Sequence, residues 1–165
     1  MSKIYNIGII GFGKRAAQGL CKSMGNYASI EGNDGFRVVA ITDLRPEEEL
    51  RAELDAIGFG EGARIYRTPE EMYENEKLDG VIIGTRCSLH TKMACINAKY
   101  GVPMLLEKPV ATSFEEIEQL NAICPEMDDK TVVSFPLRCS PLALKTKEII
   151  DSGVLGKISQ VQAIN

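Results

Sequence analysis

Short, nearly unbroken apolar runs recur along this chain, and between them the apolar residues change to helical spacing. The runs are "KIYNIGII", "FRVVAITD", "ARIYRT", "LDGVIIGT", "VPMLLE" and "TVVSF". Strand side chains alternate between faces, so a run that stays apolar at consecutive positions has to be covered on both sides. Strands of this kind alternating with amphipathic helices predict a doubly wound α/β fold around a parallel sheet. All strands of such a sheet end on one edge, and ligands bind outside those carboxyl ends. The positions to inspect are therefore Gly11, Asp43, Thr85, Glu107 and Phe135.

The intervening segments support this reading. Ala16, Ala17, Leu20, Cys21 and Met24 recur at helical spacing, and Pro46 opens a segment with Leu50, Leu54 and Ile57 on one face. "PEEMYENE" predicts a short helix, and Leu89, Met93, Ile96 and Tyr100 predict the face of the next. Ser113 followed by Glu116 makes a capping-box pattern for a helix carrying Phe114, Ile117, Leu120 and Cys124. The last stretch predicts one more helix, a glycine-rich turn and a strand from Ile158. We therefore divide the chain into a doubly wound domain at 1–136 and, at 137–165, a connecting helix with the first strand of a further, truncated unit. A strand there without neighbours would be an open edge, which predicts either a homo-oligomer through edge pairing or disorder of that segment.

Composition excludes several function classes. The net charge is −4 and the basic residues are scattered, so the footprint of a nucleic-acid binder is missing. No apolar run approaches the roughly 18 residues of a membrane helix, and Met1 leads directly into a strand pattern rather than a secretory signal. A soluble cytoplasmic protein is the expectation. The five cysteines, Cys21, Cys87, Cys95, Cys124 and Cys139, form no C-x-x-C pair and are expected to be reduced, most of them as small core residues. With a single histidine, His90, and no cysteine pair beside it, no metal site is expected.

"GIIGFGKRA" places Gly11, Gly13 and Ala16 at G-x-G-x-x-A spacing between the first strand and the first helix. In that context Gly11 permits a tight turn, Gly13 lets a pyrophosphate approach the backbone, and Ala16 allows close helix packing. The anion would meet unpaired N–H groups at the helix start. Asp43, at the end of the second strand, can accept both hydroxyls of an adenosine ribose and would repel a 2′-phosphate, which favours NAD. Two residues on, Arg45 offers the opposite, a cation for that phosphate; Asp43 also reads as a helix-cap residue before Pro46. Thr85 and Arg86 border the nicotinamide side, and His90 stands in the first turn of the next helix, as a ligand contact or a capping residue. Cys87 at a helix start lacks a base to make it a nucleophile.

"LLEKPV" ends a buried strand with a carboxylate, an amine and a proline. An amine there can donate to a substrate oxygen and relay its proton as an alcohol becomes a carbonyl. Partial burial would favour the neutral amine, whereas Glu107 next door would favour the ammonium form. Pro109 stiffens the turn that aims Lys108. The same residues also read as a simple exit from the core, and spacing alone does not separate the two.

"GIIGFGKRA", "LLEKPVATS" and "RCSPLALKTKEIIDSGVLGKI", in this order, resemble the Gfo/Idh/MocA family of oxidoreductases. The resemblance covers essentially the whole chain, and E-K-P is its most specific element. It implies an N-terminal Rossmann domain that binds NAD or NADP. The pyrophosphate would lie at Gly11, Phe12, Gly13, Lys14 and Arg15, and the ribose at Asp43. Thr85, Arg86, His90 and Glu107 would face the nicotinamide. Lys108 would be catalytic at the substrate hydroxyl, with Arg138 before Pro141 on the substrate side. This chain departs from the Thr-Pro that many members carry after the fourth strand, having Thr85 and Arg86 there. The family also carries a second domain with a large open sheet. The implied function is an NAD(P)-dependent oxidoreductase acting on a sugar or polyol hydroxyl, represented mainly by its cofactor-binding domain and inactive as this piece alone. Two alternatives stand beside it, a non-catalytic NAD(H)-binding sensor or scaffold and an NAD-dependent glycosidase of the same family.

Overall fold

A computed structural model describes residues 3–30, 32–58 and 61–162. The chain divides into two compact units, Met1–Ser134 and Phe135–Asn165. The first holds six parallel strands: β1 (Ile4–Ile10), β2 (Gly35–Thr42), β3 (Arg64–Tyr66), β4 (Gly80–Ile83), β5 (Met104–Glu107) and β6 (Thr131–Ser134). Their order across the sheet is β3-β2-β1-β4-β5-β6. This is the doubly wound order, in which the chain reverses direction across the sheet between β1 and β4 and leaves a crevice at their carboxyl ends.

Helices fill the crossovers. A π-wound stretch, Arg15–Cys21, continues directly into α1 (Lys22–Ala28). It is followed by α2 (Glu47–Ala56), α3 (Pro69–Asn75), α4 (His90–Tyr100) and α5 (Phe114–Met127). The strand alternation sorts the core into two clusters. One gathers Ile7, Ile9, Val38, Ile41 and Ile82 with Ala16, Ala17, Cys21, Leu50 and Leu54 from the π-wound stretch and α2. The other gathers Ile10, Ala40, Val81, Ile83 and Leu106 with Met72, Met93, Ala94 and Met127 from α3, α4 and α5. Neighbours such as Val81, Ile82 and Ile83 thus feed opposite faces, which is why these strands read as continuous apolar runs.

Caps set several entries. Thr68 and Glu71 form a reciprocal capping box at α3 that the sequence reading passed over. At α5, Ser113 Oγ accepts from Glu116 N at 3.2 Å, but the Glu116 carboxylate turns to the N–H and hydroxyl of Thr112 instead of closing the box. These bonds hold the Glu116 carboxyl below its ordinary range.

The second unit contains a short 3-10 turn, Pro136–Cys139, and α6 (Pro141–Asp151), whose first turn is capped by Ser140. Three sequence expectations need correction. No strand forms over residues 158–162; they are exposed and pair with no strand among the described residues, and an extended segment without a hydrogen-bonded neighbour is not stable as a strand. The remainder of that expected strand lies outside the described residues. On α5 the packed residues are Leu120, Ile123 and Met127, while Phe114, Ile117 and Cys124 are exposed. Of the cysteines only Cys21 is buried, where lack of solvation pushes its thiol up to about 11. Among the described residues no helix is long and apolar enough to cross a membrane.

Candidate functional site

The carboxyl ends of β1, β2, β4 and β5 are linked to one another by a continuous set of contacts. Gly11 leaves β1 with φ +82° and donates its N–H to Thr42 O at 2.8 Å, tying the turn to the end of β2. A Cβ on Gly11 would lie 2.7 Å from Thr85 Cα and 2.8 Å from Thr85 N, so the first turn and the loop after β4 touch backbone to backbone. Both the positive φ and the missing side chain are required there. Ala16, fully buried, packs against Gly84, where a Cβ would lie 3.3 Å from that of Ala16. The alanine of the G-x-G-x-x-A pattern therefore has a visible packing reason.

Gly13 is different in kind. A Cβ there would meet nothing nearer than Gly84 O at 4.0 Å, so packing within the chain does not require this glycine. It is exposed and precedes a helix start that has no side-chain cap and no acidic residue in its first turn. An uncapped helix start beside open backbone is the setting that accepts an anion such as a pyrophosphate. Lys14 and Arg15 are exposed at the same place. Phe12 contributes its main chain: the ring is fully buried in the core, its N–H donates to Asp43 Oδ2 at 2.9 Å and its carbonyl oxygen accepts from Arg45 Nη2.

Asp43 follows β2 with its side chain partly buried. Oδ1 accepts from Arg45 N at 3.0 Å and Nε at 3.4 Å. The carboxylate thus braces the glycine turn and the approach to α2 at once, and of its about four lone-pair positions the bonds from Phe12 and Arg45 leave one, on Oδ2, for a ribose hydroxyl.

The loops after β4 and β5 are held by the start of α4. His90 is 1% exposed; its Nδ1 lies 2.7 Å from Pro109 O and its Nε2 3.0 Å from Thr85 O. Thr91 Oγ1 donates to Val110 O at 2.9 Å beside it. Both ring nitrogens face main-chain oxygens and the ring has no open side, so the direct nicotinamide contact expected of His90 is corrected to a brace between two site loops. Thr85 is half-buried and Arg86 exposed on the loop that His90 holds.

Glu107 and Lys108 diverge. Glu107 is 5% exposed and its Oε1 accepts from Arg15 Nε at 3.0 Å, joining the end of β5 to the start of the first helix. Lys108 is exposed and forms no ion pair among the described residues, and the Lys108–Pro109 peptide is cis. The partial burial expected of Lys108 is thus not found in this chain. Glu107, the last residue of β5, is buried and turned to Arg15, whereas Lys108 lies beyond the strand and is exposed, so the carboxylate that adjacency placed beside the amine is bound elsewhere. Arg138 lies exposed in the second unit, within Pro136–Cys139. Among the described residues no group of His, Cys, Asp and Glu side chains is arranged to hold a metal ion.

Sequence reading had no means of finding the Arg15–Glu107 pair or the His90 brace, which join residues far apart in the chain.

Residues 5–135 match the family model described as "Oxidoreductase family, NAD-binding Rossmann fold", GFO_IDH_MocA. Inositol 2-dehydrogenase 2 of Saccharopolyspora erythraea is 29% identical over 163 residues, which is 97% of this chain and 44% of that protein. Myo-inositol 2-dehydrogenase of Thermotoga maritima is 23% identical over 92% of this chain and 42% of its own length. Among solved structures, the WlbA dehydrogenase from Bordetella pertussis, in complex with NADH and UDP-GlcNAcA, superposes with a TM-score of 0.76 at 26% identity. That alignment covers 96% of this chain and 44% of the other. The chain thus spans less than half the length of these relatives.

Proposed function

We infer the function from one premise: this chain belongs to the GFO_IDH_MocA oxidoreductase family, carrying its NAD-binding Rossmann fold at residues 5–135. On that premise it is the cofactor-binding part of an NAD(P)-dependent dehydrogenase that oxidises a hydroxyl of a sugar or polyol. The observation that carries this reading is the shared edge, where the open glycine turn, Asp43 and the Lys108 turn are joined through Thr85 and His90. The inositol dehydrogenases among its relatives support a polyol as the substrate class.

The residues divide the work. The N–H groups at the uncapped helix start and the Gly13 backbone receive the pyrophosphate, with Lys14 and Arg15 adding positive charge. Asp43 accepts from the adenosine ribose, and Thr85 with Arg86 borders the nicotinamide. When bound, the dinucleotide supplies the hydride acceptor. The hydroxyl proton must leave as well, and Lys108 Nζ, which forms no ion pair among the described residues, is the group at this edge that can meet the substrate oxygen and, as the neutral amine, take that proton. Glu107 acts at a distance, anchoring β5 to Arg15 so that the turn bearing Lys108 keeps its place. Arg138 is proposed to contact substrate on the strength of the family pattern.

The test has two arms. Fluorescence titration of NADH onto this chain should show saturable binding; no binding refutes the cofactor reading. In the full-length protein Lys108→Ala should cut kcat with inositol or a related polyol by at least about a hundredfold, the range for loss of a general acid or base. Normal turnover in that variant would remove Lys108 from the chemistry.

A further inference from the structure

Arg45 is the cation closest in sequence to Asp43, and so the side chain expected to hold a 2′-phosphate. Its surroundings make that role unavailable. A guanidinium carries five N–H donors and no acceptor. Nε reaches Asp43 Oδ1 at 3.4 Å, Nη1 reaches Glu49 Oε1 at 2.7 Å and Glu53 Oε1 at 3.0 Å, and Nη2 reaches Glu53 Oε2 at 3.2 Å and Phe12 O. Every donor has a partner within this chain. Three carboxylates surround one positive charge, so the patch beside the ribose position keeps a net negative charge.

We propose that Glu49 and Glu53 on α2 are specificity-determining residues that hold Arg45 out of reach of a 2′-phosphate, so that this site selects NAD over NADP through the caged arginine as well as through Asp43. The inference rests on the dinucleotide-binding reading above. A 2′-phosphate arriving next to Asp43 meets repulsion and finds no free N–H on Arg45 to compensate. A ribose hydroxyl needs only the acceptor that Asp43 retains. The pair with Glu53 is bidentate, the geometry that costs most to break. A second cation, Arg67, approaches the same loop, where Nη1 donates to Arg45 O at 2.8 Å and to Leu44 O at 3.3 Å. The test therefore has to separate a gain through Arg45 from one through Arg67.

NADH and NADPH are titrated separately by fluorescence onto the wild-type chain and four variants: Asp43→Ser, Glu49→Ala/Glu53→Ala, the triple combination, and the triple with Arg45→Ala. Alanine on α2 keeps helix propensity, and the two side chains are 50% and 42% exposed, so these changes leave the core intact; thermal unfolding verifies it. The wild type is expected to favour NADH by about tenfold or more, and Asp43→Ser alone to narrow that ratio only in part. Freeing Arg45 in the triple variant should strengthen NADPH binding a further tenfold or so, the value of one charge-assisted hydrogen bond. Arg45→Ala should abolish that gain. An NADPH-to-NADH ratio that is equal in Asp43→Ser and the triple variant overturns the inference, and so does a gain that survives Arg45→Ala. The double variant on native Asp43 gives an independent reading, because its ratio must move toward NADPH. Failure of the wild type to bind either dinucleotide overturns the underlying cofactor reading, and this inference with it.

Discussion

Gly11 and Gly13 stand two residues apart in the same motif, yet the structure gives them opposite reasons for being glycine, and substituting alanine at each separates folding from binding. At Gly11 the added Cβ meets Thr85 Cα at 2.7 Å and Thr85 N at 2.8 Å, backbone atoms that cannot swing away, and φ is +82°. Left-handed backbone costs an L-residue about 1–2 kcal/mol, and overpacking adds about 1–3 kcal/mol. We expect Gly11→Ala to lose about 3 kcal/mol, which lowers the thermal midpoint by about 6–12 °C in a chain of this size. At Gly13 the nearest atom is Gly84 O at 4.0 Å. Gly13→Ala should therefore unfold within about 2 °C of wild type, while its methyl stands where a pyrophosphate would meet the backbone and weakens NADH binding about thirtyfold, or about 2 kcal/mol. Differential scanning fluorimetry with a parallel NADH titration reads both quantities. Equal destabilisation by the two variants, or wild-type NADH affinity in Gly13→Ala, would refute the division.

Two further predictions use the site's brace and its core. His90→Ala removes a buried ring that bridges the Thr85 and Pro109 carbonyls, so it should lower unfolding stability by about 3 kcal/mol, the sum of lost buried hydrogen bonds and a cavity; a variant with weaker NADH binding but an unchanged denaturant midpoint would restore His90 as a direct contact. Cys21 keeps its proton in the folded state up to about 11 from an ordinary 9.0, while the unfolded thiol ionises first, so rising pH favours unfolding across that interval. Stability should fall by about 2 kcal/mol between about pH 9 and 11, and Cys21→Ala should lose less over the same interval; identical pH profiles for the two proteins would contradict the assignment.

The sheet was legible because parallel strands buried on both faces leave a signal at every position, and even the short β3 could be found from "ARIYRT". The α5 face was not, although its residues have helical spacing. Spacing decides which side chains share a stripe, but only tertiary packing decides which part of the stripe meets the sheet, and here Leu120 and Ile123 are packed while Phe114 and Ile117 face solvent. The strand expected from Ile158 failed for a related reason, since β propensity is realised through neighbours. At the site, the motif residues were located by their positions at strand ends, whereas the Arg45 cage was not legible, since Arg45 precedes α2 and its partners are not its helix neighbours. Glu53 stands eight residues from Arg45, and the bond depends on how α2 leaves the loop at Pro46.

The E-K-P turn shows how far adjacency in sequence can mislead about chemistry. Reading Glu107 and Lys108 as neighbours made the carboxylate a modulator of the amine. Burial separates them, because Glu107 ends β5 inside the fold and must find its partner there, whereas Lys108 lies beyond the strand and is exposed. Glu107 finds Arg15, which belongs to the glycine turn, so the ion pair couples the β5 end to the place where a pyrophosphate would bind. Lys108 is left exposed, with no ion-pair partner among the described residues. The two residues therefore divide one motif into an anchor and a working group. Glu107→Gln should accordingly act first on the coupling between the two turns, weakening NADH binding, and Lys108→Ala should spare that binding and act on turnover.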